Sequence, residues 1–93
     1  MTEISKYSII EKCDGFLESD IGEESVMMRE EDGFYFEMNK TGKNIWQAFE
    51  GTISVEGLCA NLTNKYNIDQ KTCFDEVVVF LTALHKAGAV NVS

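Results

Sequence analysis

Two hydrophobic periods divide the chain. As far as Met38, short apolar runs alternate with turn signals; from Asn39 onward, apolar residues recur at helical spacing. In the first part Asp14-Gly15 and Asp32-Gly33 mark turns. Extended segments are predicted at Tyr7–Ile10, Phe16–Ile21, Val26–Arg29 and Gly33–Met38, the last being aromatic-rich directly after a turn. Glu30-Glu31-Asp32-Gly33 reads as the hairpin turn between the last two. The expected product is a small antiparallel sheet of about three strands, the usual minimum for independent stability. The pattern leaves open which of the first two segments joins the hairpin.

Three helix patterns follow. The first starts at Asn39, a residue suited to accept a bond from an orphan backbone N–H, and turns Ile45, Trp46 and Phe49 to one face. Gly51 is placed to end it. The second starts at Ser54 and carries a stripe of Val55, Leu58, Cys59, Leu62 and Tyr66, with Gly57 inside it costing about 1 kcal/mol relative to Ala. The third begins near Asp69 or Thr72 and stops at Gly88, with Phe74, Val77, Val78, Leu81 and Leu84 in its main stripe. Beside that stripe lies a second band, Cys73, Phe80, Ala83 and Ala87. The two small alanines leave a shallow channel walled by Phe80; the plainer reading is that the band packs on the sheet. Ala89–Val92 is either a frayed tail or a minor strand. Strands segregated from helices give an α+β fold, and two helices joined at Asn67-Ile68 beside a small sheet resemble a winged helix-turn-helix.

At 93 residues the chain is sized for one domain with one small core. Eight basic residues against sixteen acidic ones give a net charge of −8. That disfavours nucleic acid, whose binding rests on Lys and Arg displacing counterions. No apolar run approaches the roughly 20 residues that span a bilayer, and the first residues lack the apolar region of a signal peptide. A cytoplasmic protein with no membrane partner is expected. Cys13, Cys59 and Cys73 are odd in number and widely spaced, so reduced, mostly buried thiols are expected rather than disulfides or a zinc site.

Catalytic chemistry finds few residues. His85 is the only histidine, near the end of the third helix, where a cationic side chain suits the helix dipole. Glu18, Asp20, Glu23, Glu24, Glu30, Glu31 and Asp32 are spread as a solvated face. Gly42-Lys43 lacks the upstream glycine of a phosphate loop, Glu37 standing in its place. Neither an enzyme nor a cofactor is expected.

The run Phe34-Tyr35-Phe36-Glu37-Met38-Asn39-Lys40-Thr41-Gly42-Lys43-Asn44-Ile45-Trp46 resembles the signature of the PqqD-like family: two aromatics, a Leu-Asn pair, Thr-Gly and Ile-Trp in that order. Glu50–Glu56 is similar to its linker into the second helix, Tyr66-Asn67-Ile68-Asp69 to its turn, and Asp75–Val90 to its closing helix. The resemblance spans about Val26 to Val92. Met38 stands for the usual Leu, Gly57 for a helix former and Ala89 for a larger apolar residue; the first twenty residues match only loosely.

The resemblance implies a winged helix-turn-helix of three strands followed by three helices. It implies a recognition element that binds the leader of a ribosomally made, post-translationally modified precursor peptide. Such an element passes the leader to a modifying enzyme, either a radical S-adenosylmethionine enzyme or a lasso-type leader protease or cyclase. A leader could add to an open sheet edge as a further antiparallel strand. On that reading the site is the strand Phe34, Tyr35, Phe36, Glu37 and Met38 with Glu76, Phe80, Ala83 and Ala87 from the last helix; Phe34, Phe36 and Met38 are expected to face inward, and Trp46 belongs to the core. Two other readings compete. A winged-helix DNA-binding regulator would need a basic third helix, whereas Lys71, His85 and Lys86 face Asp69, Asp75 and Glu76 in its charge balance. A protein–protein adaptor would have the Phe34–Met38 edge covered by a partner or by a second copy in a homodimer.

Overall fold

The computed structural model describes residues 4–93. The N-terminal runs become β1 (Ile9–Lys12), β2 (Phe16–Ile21), β3 (Glu24–Arg29) and β4 (Tyr35–Met38). Then come α1 (Lys40–Gln47), β5 (Thr52–Ser54), α2 (Val55–Lys65), α3 (Gln70–Ala87) and β6 (Val90–Val92). The class is α+β, with a small antiparallel three-stranded sheet and three helices.

That sheet has the order β2-β3-β4. Gly22, at φ +63°, opens the two-residue turn that sets Ile21 opposite Glu24. The open pairing question is thereby answered: β2 joins the hairpin, with Leu17 opposite Met28 and Met28 opposite Tyr35. β1 goes elsewhere. It is the centre of a second antiparallel sheet, β5-β1-β6, which ties Ile10 to both Ile53 and Val92. Ala89–Val92 is therefore a strand end and not a frayed tail. β5 carries no clear period because it has three residues, and its last, Ser54, is also the N-cap of α2, accepting from the Gly57 N–H at 3.0 Å.

The other helix starts follow the same chemistry. The side chains of Asn39 and Asp69 accept from the N–H groups of Gly42 and Thr72 at 2.9 and 3.2 Å. α3 ends in a Schellman turn: Gly88 at φ +80° donates to His85, and Ala89 donates to Leu84 at 2.9 Å. α1, by contrast, stops at Gln47 and not at Gly51. Phe49 must leave the helix to bury itself edge-on against Trp46, centroids 6.0 Å apart. The freed carbonyls find side-chain donors: Lys12 Nζ reaches Trp46 O at 2.8 Å, and Asn61 Nδ2 reaches Ala48 O at 3.2 Å. Lys12 also lies 4.2 Å over the Trp46 ring. Burial holds its ammonium below the ordinary lysine range, with Glu50 and Glu18 opposing that shift.

The buried apolar residues form one cluster. Ile10 from β1, Met27 and Met38 from the β2-β3-β4 sheet, Ile45 and Trp46 from α1, Leu58 from α2 and Val77, Leu81 and Leu84 from α3 all meet there. Cys73 joins this cluster instead of the channel band where sequence periodicity placed it. It lies in the part of α3 that packs on α2, its Sγ 4.0 Å from the Cys59 carbonyl. Burial raises all three thiols, Cys59 to about 12, which keeps them protonated and poorly nucleophilic. No helix among the described residues is long and apolar enough to cross a membrane.

Candidate functional site

A groove of about 790 Å³ runs between β4 and α3. Its strand side is built by Phe34, Phe36, Glu37 and Met38, and its helix side by Glu76, Phe80, Ala83 and Ala87. Eight of the nine residues singled out from the sequence thus come together. Tyr35 does not line the groove: strand alternation turns its ring to the opposite face, where it is 66% exposed. The expectation that Phe34, Phe36 and Met38 all face inward is met fully only by Met38. Phe36 is half-buried, and Phe34, 47% exposed, stands at the mouth. The two rings sit 6.3 Å apart and form one apolar wall.

Other contributors were not read from the sequence. Asn39, Thr41, Gly42 and Ile45 close the groove beside the start of α1, and Asp75, Val79, Leu84 and Lys86 extend its helix side. Val79 is 72% exposed, a large apolar side chain on the open side of α3. It lies outside the main stripe, and its isolation there was the signal available. Gly42 has a steric reason. A Cβ on it would lie 2.8 Å from Cε1 of Phe80, so glycine lets α1 approach the ring that walls the groove.

Arg29 fixes the mouth. Its Nε and Nη2 grip Asp32 at 3.0 and 2.7 Å, its guanidinium lies 5.0 Å over Phe34, and Nη1 donates to the Ala87 carbonyl at 2.8 Å. One side chain thus joins the hairpin turn, the groove wall and the end of α3. The hydrogen bond from Arg29 holds the Asp32 carboxyl down at about 2. Around the groove, Glu37 and Glu76 have no ion-pair partner among the described residues, whereas Asp75 meets Lys71 at 3.1 Å.

β4 is an edge strand, paired only with β3. The Arg29 N–H donates to the Phe34 carbonyl at 2.7 Å. Antiparallel pairs alternate between bonded and non-bonded positions, so Phe36 and Met38 also direct their backbone groups to β3. The N–H and C=O of Tyr35 and Glu37 then point to the open edge, beside the groove. Among the described residues no group of three or more His, Cys, Asp or Glu side chains could hold a metal.

Comparison with known proteins bears on this geometry. The family model described as coenzyme PQQ synthesis protein D (PqqD) matches residues 24–90, from the start of β3 to the first residue of β6. Among solved structures, the chain is similar to TbiB1 in complex with the TbiA(beta) leader peptide, with a TM-score of 0.68 and 22% identity, over 87% of this chain and 94% of that one. At that identity the likeness establishes a shared fold. No curated protein sequence matches the chain.

Proposed function

The chain belongs to the PqqD family, and we propose that it is a non-catalytic chaperone that binds the leader of a ribosomally made precursor peptide and presents it to a modifying enzyme. The observation that carries this reading is the open edge of β4 lying directly beside an apolar groove. An extended leader can pair with the backbone of Tyr35 and Glu37 as a fourth antiparallel strand. Alternate leader side chains then enter between Phe34 and Phe36 on one side and Phe80, Ala83 and Ala87 on the other.

Magnitudes give each part its role. A backbone hydrogen bond nets about 0.5–1.5 kcal/mol, while ordering a leader residue costs about 1–2 kcal/mol. Strand pairing alone therefore roughly breaks even and sets register. Burying an apolar leader side chain contributes about 1.5–3 kcal/mol, so the groove supplies net affinity and selectivity. The similar structure, TbiB1 in complex with the TbiA(beta) leader peptide, supports the same class of ligand. The enzyme served is either a radical S-adenosylmethionine enzyme or a lasso-type leader protease or cyclase. A catalytic role for this chain has little support: its thiols are held protonated, and its one histidine is exposed in the last turn of α3. Asp75 and Glu76 on α3 give the DNA-binding reading a poor surface.

The test is an amide NMR titration with a synthetic leader, on wild type and two substitutions at one residue. Tyr35→Pro removes the N–H at the open edge, a place where proline is tolerated; it should weaken binding by up to about tenfold, the loss of one backbone hydrogen bond. Tyr35→Ala keeps the N–H and should bind like wild type. Equal affinity for all three proteins would exclude strand addition at β4.

A further inference from the structure

The sheet face turned away from the groove is apolar where an open antiparallel sheet is normally polar. Leu17, Met28 and Tyr35 form one continuous row across β2, β3 and β4, being register partners. Leu17 is 52% exposed and Tyr35 66%. Ile21, on the same side of β2, is 60% exposed. Val26, half-buried, fills the middle of the face. Side chains this large, gathered on one face, mark an interaction surface.

We infer that this face is the docking surface for the modifying enzyme, through a patch on that enzyme with an apolar centre and a Lys/Arg rim; the inference rests on the leader-binding reading above. Two observations choose this occupant. The first is charge. Glu24 lies on the face and Glu30 and Glu31 at the hairpin turn, none with an ion-pair partner among the described residues. Lys40 and Lys43, on α1, are paired with Glu23 and Asp20. A second copy, also of net charge −8, would set these carboxylates against their like. A basic-rimmed partner meets complementary charge instead. The second is continuity. A leader strand added at β4 extends this same sheet, and every other leader side chain falls in line with the face that carries Tyr35. An enzyme seated here contacts carrier and leader together, which is what presentation requires.

The test uses the purified modifying enzyme of the same pathway, with leader affinity measured in parallel. Leu17→Ser/Ile21→Ser removes apolar contacts far from the groove, and Glu24→Lys/Glu30→Lys reverses charge at the rim. Each should weaken enzyme binding at least tenfold and leave leader affinity within twofold, with amide spectra showing the fold retained. Unchanged enzyme affinity in both variants overturns the inference. So does a wild-type dimer that the serine variant converts to monomer, since the face would then take a second copy. If wild type fails to bind leader while the variants still lose the enzyme, the leader reading falls and the docking surface stands.

Discussion

Gly42 and Phe80 are in contact across the helix α1–α3 boundary, and that contact positions the ring that walls the groove. A Cβ at Gly42 would lie 2.8 Å from Cε1 and 3.1 Å from Cδ1 of Phe80. The ring is the far end of a half-buried side chain, so it can yield by swinging into the groove. Gly42→Ala should cost little stability, because alanine gains about 1 kcal/mol in helix propensity that offsets the repacking. Leader affinity should fall about tenfold, equivalent to about 1.4 kcal/mol. Calorimetry on a double-mutant cycle with Phe80→Leu checks the cause: the Gly42→Ala effect should shrink in that background.

Ala83 gives the helix side its depth. It is exposed on α3, and its replacement changes helix propensity by less than about 0.7 kcal/mol. Ala83→Trp should fill the groove and Ala83→Glu should make its floor polar. Both should lower leader affinity at least tenfold while the thermal midpoint moves little. Fluorescence anisotropy with a labelled leader measures this, and a variant that binds normally would move the site off this groove.

The Arg29–Asp32 pair makes stability depend on acid in a defined direction. The folded Asp32 carboxyl lies at about 2, below its ordinary 3.8. Its contribution is fully present above 3.8 and disappears as pH falls through about 2. Arg29→Met should therefore lower the urea midpoint at neutral pH, and the gap from wild type should narrow on acidification. It should not close, because the bond from Arg29 to the Ala87 carbonyl does not titrate in this range. A gap that widens at low pH would contradict the pairing.

Net charge −8 should steer basic leader segments toward the chain. Stopped-flow association rates should fall as ionic strength rises, with dissociation nearly constant. An on-rate that ignores salt would show that charge plays no part in encounter.

Much of this protein was determined by local sequence. Asn39, Ser54 and Asp69 specify helix starts because each carries a short acceptor that reaches the orphan N–H three residues on. Gly88 specifies the end of α3 because its backbone takes the left-handed conformation, φ +80°, that residues with a Cβ rarely adopt. The aromatic-rich run after the Asp32-Gly33 turn named the strand, whereas the surplus band on α3 read by itself as packing on the sheet and pointed to Phe80, Ala83 and Ala87 only beside the family resemblance. Tertiary structure decided the rest. Whether Tyr7–Ile10 joined the hairpin could not be read locally, since β1 finds its partners in Thr52–Ser54 and Val90–Val92, far along the chain. The end of α1 was set by Phe49 turning back onto Trp46, a contact that outweighs the glycine signal at Gly51. Cys73 left the channel because α2 covers that turn of α3. Periodicity fixes which direction a side chain points along its own element; which element stands opposite is fixed only when distant segments pack.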